Sequence, residues 1–138
     1  MPPLNLRAQI ERDEGLRLKP YRDSVGKLTI GYGRNLDDRG ITKDEAALLL
    51  AHDLADAWNA VESAFPWARD LSEPRMGVLV NMAFMGIGRL KGFVKMLAAM
   101  EAGDWEAAAR ELLDSKYAGQ VGARADRLAQ QLREDRMI

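Results

Sequence analysis

The 138-residue chain carries 20 basic and 21 acidic side chains, a net charge of −1, 47% apolar residues and no cysteine. Such a length and apolar content suit one domain that buries roughly two-thirds of its unfolded surface. The near-zero charge offers no field for wrapping nucleic acid, and without cysteine there is no disulfide framework. His52 is the single histidine, so no metal-ligand set is apparent; no G-x-S-x-G segment accompanies it, which argues against a serine-hydrolase triad. Nothing implies a cofactor.

Taken in order, Met1–Arg7 lacks the apolar core of a secretory signal. Asn5 is a candidate N-cap for a first helix with Leu6 and Ile10 on its apolar side, and Gly15 after Glu14 is the stop. Lys19–Arg22 and Leu28–Tyr32 alternate apolar and polar residues and predict a hairpin, with turn residues from Asp23 to Lys27 between them. Asn35–Gly40 reads as a turn. Thr42 followed by Glu45 predicts a capping box at the start of a long helix, whose apolar positions Ala46, Leu49, Leu50, Leu54, Ala57, Trp58 and Val61 recur until Phe65-Pro66. The acid-rich stretch 46–74 reads as a solvated helix face.

Ser72, Glu73 and Pro74 mark another helix start, and Met76, Leu79, Val80, Ala83 and Phe84 make that helix the buried central one. Its polar residue Asn81 is weighed as a satisfied core amide at least as heavily as a site residue. The run Gly77–Gly88 is too short for a membrane span of roughly 18 residues, so no stable membrane insertion is expected. Glycines 86, 88 and 92 predict a tight turn; they miss the G-x-G-x-x-G fingerprint, as does Gly31-Tyr32-Gly33. Phe93–Met100 forms the next helix, ended by Gly103, and Asp104 caps another lined by Trp105, Ala108, Ala109, Leu112 and Leu113. Met76, Met82, Met85, Met96 and Met100 are expected to fill the core. A last helix from Val121 carries Arg124, Arg127, Arg133 and Arg136 against Asp126, Glu134 and Asp135, a thin basic signal and a candidate contact with an anionic outer membrane.

The residues that carry chemistry cluster between Glu14 and Gly33. A helix ends in a carboxylate, and a hairpin with a second carboxylate, Asp23, and a hydroxyl, Thr29, follows. Glycoside hydrolysis needs a protonated carboxyl on one side of the scissile bond and, on the other, an ionised carboxylate or a water that it activates. The Glu/Asp spacing alone is not diagnostic in so acidic a chain. Thr29 sharpens it, being one of only two threonines.

The string Glu14-Gly15-Leu16-Arg17-Leu18-Lys19, then Tyr21, Asp23, Gly26 and Thr29-Ile30-Gly31-Tyr32-Gly33, resembles the catalytic hairpin of the T-even phage type of lysozyme, glycoside hydrolase family 24. Further on, Asn81-Met82-Ala83-Phe84 and the segment Ser115, Tyr117, Gln120, Arg124, Arg127 resemble later parts of the same family in the same order, with Tyr117 replacing a tryptophan. Arg34 stands where the family has histidine.

The resemblance implies a mainly α, α+β lysozyme-like fold in a single catalytic domain. Its parts are a hairpin lobe at about 15–41, a connecting helix at about 43–64 and a helical lobe at about 65–138 that includes the N-terminal helix, with a cleft between the lobes. It implies an endolysin that hydrolyses the β-1,4 bond between N-acetylmuramic acid and N-acetylglucosamine in peptidoglycan. Glu14 would be the general acid, Asp23 and Thr29 would hold the water, and Arg124, Tyr32 and Gln120 would bind or orient the substrate; no metal or cofactor takes part. A glutamate acid needs partial burial to keep its proton near neutral pH. The chain is expected to be a monomer made in the host cytoplasm and let out to the wall through a phage membrane pore. A wall-binding module without catalysis, a helical nucleic-acid binder using the basic residues of the last helix, and a transglycosylase yielding anhydro ends are the alternatives.

Overall fold

Glycine, proline and capping side chains set most element boundaries along Met1–Ile138, all described by the computed structural model. Helix α1 (Leu4–Glu14) ends at Gly15, whose φ of 70° leaves the right-handed region and whose N–H bonds the Glu11 carbonyl at 3.0 Å. Pro3, not Asn5, is its N-cap. The extended backbone fixed at Pro3 leads straight into the helix, and Asn5 accepts only from the adjacent Leu6 amide.

Strands β1 (Arg17–Arg22), β2 (Leu28–Gly31) and β3 (Arg34–Asn35) form an antiparallel sheet in the order β1-β2-β3. Tyr21 faces Thr29, and the register shifts between Arg17 and Tyr21. The hairpin loop is the expected one, but β3 occupies part of what the sequence suggested was only a turn. Two residues are too few to show a periodicity; the edge of β2 holds them, pairing Thr29 with Asn35 and Ile30 with Arg34.

Helix α2 (Lys43–Ala64) begins in the expected capping box: the Thr42 amide donates to Glu45 Oε1 at 2.8 Å, and the Glu45 amide donates to Thr42 Oγ1 at 3.1 Å. It ends at Phe65-Pro66, where a 3₁₀ turn covers Pro66–Asp70. Two compact units result, Met1–Leu49 and Leu50–Ile138, and the division falls inside α2.

In the first unit Arg34 ties the sheet to the helix start. Its Nη1 donates to the Gly40 carbonyl at 3.1 Å and to Glu45 Oε1 at 2.7 Å, and its Nη2 donates to Glu45 Oε2. These bonds tie β3 to the start of α2. The Arg34 guanidinium, followed by the Thr42 amide, lowers the Glu45 carboxyl to about 2. The folded value lies below the unfolded one, so this contribution is full above pH 4.5 and is lost as pH falls toward 2. Glu45→Gln should therefore lower the melting temperature at pH 7 and flatten its fall between pH 4.5 and 2. Parallel melting curves of parent and variant through that window would discard the linkage.

The second unit is built on α3 (Glu73–Ala83), with Met76, Val78, Leu79, Val80, Met82 and Ala83 buried. It is the central helix the sequence predicts, except that Phe84, counted among its apolar residues, lies just past its end and is exposed. Ser72 precedes it without a side-chain cap, and its hydroxyl donates to Asp135. The glycine-rich turn contains the short helix α4 (Ile87–Lys91), and α5 (Val94–Glu101), α6 (Trp105–Leu113), α7 (Lys116–Val121) and α8 (Ala123–Glu134) follow. Gly122, at φ 57°, separates α7 from α8.

Asp104 and Ser115 cap α6 and α7, accepting from the Ala107 and Ala118 amides at 3.1 and 3.2 Å. Leu79, Leu90, Leu112 and Leu132 are fully buried with Met82, Met96 and Met100, each contributing about 1.5–3 kcal/mol. Gly77 lets α8 approach α3: Gln131 Nε2 donates to the Pro74 carbonyl at 2.6 Å, and a Cβ on Gly77 would stand 3.2 Å from that nitrogen. Arg75 stacks 4.0 Å over Trp105 and donates to the Leu132 carbonyl. The architecture is mainly helical with one small antiparallel sheet, the α+β class expected. No helix is long and apolar enough to cross a membrane.

Candidate active site

Glu14 is the last residue of α1, and its carboxyl lies against the turn between β2 and β3. A Cβ built on Gly33 would stand 2.5 Å from Glu14 Oε2 and 2.9 Å from Cδ. An alanine methyl there would push that carboxyl, the free end of a flexible side chain, aside. Glu14 is exposed, unlike the partial burial its expected role calls for, because α1 buries none of its residues.

Asp23 stands at the end of β1 and organises the hairpin loop. Its Oδ1 accepts from the amides of Val25 and Lys27 at 2.9 and 2.8 Å, while the Lys27 carbonyl accepts from the Asp23 amide at 2.9 Å. Aspartate suits this turn because its short side chain reaches the amides two and four residues on. Oδ2 makes no hydrogen bond within the unit. Thr29 is buried on the middle strand and donates its hydroxyl proton to the Lys27 carbonyl at 2.9 Å. In any further bond its Oγ1 therefore accepts.

The Lys27 ammonium turns to Asp38 at 3.0 Å; that bond raises Lys27 and lowers Asp38. Tyr32 is exposed at the tip of the second turn, between Gly31 and Gly33, both at positive φ. The first unit thus places Glu14 at a helix end, Asp23 and Thr29 on the β1–β2 hairpin and Tyr32 in the β2–β3 turn.

Arg124 and Gln120 belong to the helical unit, where both line a hollow of about 210 Å³ with Asn81, Tyr117 and Val121. A larger hollow of about 650 Å³ includes Gln120 and Tyr117 but not Arg124. Arg124 is half-buried and donates from Nε and Nη2 to Asn81 Oδ1 at 2.8 and 2.6 Å. The Asn81 side-chain oxygen is thus satisfied, by a candidate site residue, while the half-buried residue stands at the margin of the core.

Tyr117 is buried, meets Phe93 edge-on at 5.8 Å, and its hydroxyl has no partner in the protein. Removing an unpaired buried hydroxyl relieves a desolvation cost. Tyr117→Phe should raise unfolding stability by about 1 kcal/mol; a loss of that size in urea unfolding would show that the hydroxyl is bonded in solution.

For two residues the sequence reading names no partner. Gly33 stands there within the Thr29–Gly33 string and Asn81 as an amide weighed at least as heavily for the core as for the site; what distinguishes them is a side chain arriving from a distant part of the chain.

Residues 11–133 match the family described as phage lysozyme. Over 92% of the chain there is 34% identity to a pre-baseplate central spike protein of Enterobacteria phage T4, and the chain spans about a quarter (27%) of that protein's length. A probable T4-type lysozyme of Dictyostelium discoideum is 27% identical over 90% of the chain and 91% of its own length. A SAR-endolysin of Bacteriophage PS119 is 31% identical over 77% of the chain and 65% of its own length.

Proposed function

The chain belongs to the phage lysozyme family, and we propose that it is a muramidase that hydrolyses the β-1,4 bond between N-acetylmuramic acid and N-acetylglucosamine in bacterial peptidoglycan, acting as one catalytic domain. The observation that carries this reading is the seating of the Glu14 carboxyl on Gly33, beside the hairpin that bears Asp23 and Thr29. Glu14 gives its proton to the glycosidic oxygen as the bond to the anomeric carbon breaks. A water held by Asp23 Oδ2 and Thr29 Oγ1 attacks that carbon from the opposite face, and its proton passes to Asp23, so the anomer inverts.

The Thr29 hydroxyl suits this part because its own proton is committed to Lys27. It accepts a hydrogen bond from one O–H of the water while Asp23 accepts one from the other, which turns a lone pair toward the sugar; only the proton facing Asp23 is transferred. Glu14 is exposed, and a glycan closing over it would exclude water from the carboxyl. Arg124 serves as the orienting cation, and Tyr32 and Gln120 contact the glycan; the reaction uses no metal or cofactor.

The reading includes a monomer made in the host cytoplasm and released through a phage membrane pore to lyse the cell from within. A second reading of its place is favoured by the similarity to a central spike protein: the same domain would act on the wall as part of a phage spike. Mass spectrometry of sugars released from isolated peptidoglycan tests the chemistry. Reducing muramic-acid ends are expected; anhydro ends would replace hydrolysis by transglycosylation and remove the water from the scheme, and no release would leave a wall-binding module.

A further inference from the structure

We propose that Asn81 is a positioning residue for the reaction, fixing the orientation of the Arg124 guanidinium while leaving its positive charge uncompensated; this rests on the reading that Arg124 serves catalysis. Arg124 lies in the first turn of α8, and Asn81 lies near the end of α3. One edge of the guanidinium is fully engaged: Nε and Nη2 donate to Asn81 Oδ1 at 2.8 and 2.6 Å, and Nη2 donates also to the Asn81 carbonyl at 3.3 Å. Two acceptors on one residue fix both the plane and the rotation of the group. Nη1 has no acceptor within the helical unit and keeps both N–H groups for another partner.

The base is rigid, because the neighbours Val80, Met82 and Ala83 on α3 are all buried. The chemistry of the acceptor then matters. Arg69, Arg75, Arg133 and Arg136 in this unit face the carboxylates of Glu62, Asp135, Glu106 and Glu134. Arg124 is held instead by a neutral amide. A carboxylate would hold it in the same geometry and more strongly, but would cancel the charge that makes the group useful. Asparagine supplies the fork without the charge, and the rotamer entropy of arginine is lost at folding rather than at substrate binding.

The test is kcat and KM on soluble peptidoglycan fragments for the parent, Asn81→Ala, Asn81→Asp, Arg124→Ala and the Asn81→Ala/Arg124→Ala double variant, with thermal unfolding of each. Asn81→Ala should lower kcat by roughly 10- to 100-fold with KM within about twofold, the scale of a misplaced catalytic partner. In the Arg124→Ala background the same change should have no further effect on kcat. Asn81→Asp should fold with at least parental stability and still lose kcat. An equal loss from Asn81→Ala in both backgrounds, or parental kcat in either Asn81 variant, overturns the proposal while the role of Arg124 stands. Parental kcat in Arg124→Ala removes that role, and this proposal with it.

Discussion

Replacing Glu14 with glutamine is expected to lower turnover on isolated peptidoglycan by roughly 100- to 10,000-fold, the usual contribution of a positioned general acid. The melting temperature should hardly move. Glu14 is exposed at the end of a helix that buries nothing and makes no hydrogen bond within its unit, so its loss costs little packing. Glutamine keeps the shape over Gly33 and removes only the transferable proton. The comparison is made on purified, folded protein by the appearance of reducing ends, and a variant within a few-fold of the parent would remove Glu14 from the mechanism. An unfolded variant would be recognised by its melting curve and would instead contradict the exposed placement of Glu14.

The second large effect concerns a residue with no functional group. Gly33→Ala should reduce activity by at least about 100-fold, the loss associated with a displacement of roughly 1 Å in a catalytic group. The new methyl would enter space occupied by the Glu14 carboxyl, 2.5 Å from Oε2, and would also strain a backbone held at φ 74°. Gly31→Ala separates the two causes. Gly31 has nearly the same φ, 70°, but nothing lies within 4 Å of its added Cβ. Both variants should lose about 1–2 kcal/mol of stability through backbone strain, whereas the activity loss beyond that should belong to Gly33→Ala alone. Equal activity in the two folded variants would mean that the Glu14 carboxyl does not rest on Gly33 in solution.

The sequence by itself determined what depends on neighbours along the chain. The Gly15 stop, the Asp23 loop, the Thr42–Glu45 capping box, the Phe65-Pro66 break and the Asp104 cap each involve residues within about one turn of one another, where backbone geometry and side-chain reach leave few alternatives. The apolar spacing that marked the α3 core belongs with them, since helical periodicity is also local. The family resemblance adds roles for Glu14, Asp23 and Thr29 that spacing alone does not supply. Tertiary structure decided the remainder: the pairing that makes β3 a strand, the Arg34–Glu45 tie, the seat of Glu14 on Gly33 and the hold of Asn81 on Arg124. Each joins groups from different elements, up to 43 positions apart for Asn81 and Arg124. Which glycine a carboxyl covers, or which amide an arginine finds, follows from how the elements pack, and residue periodicity carries no record of that partner.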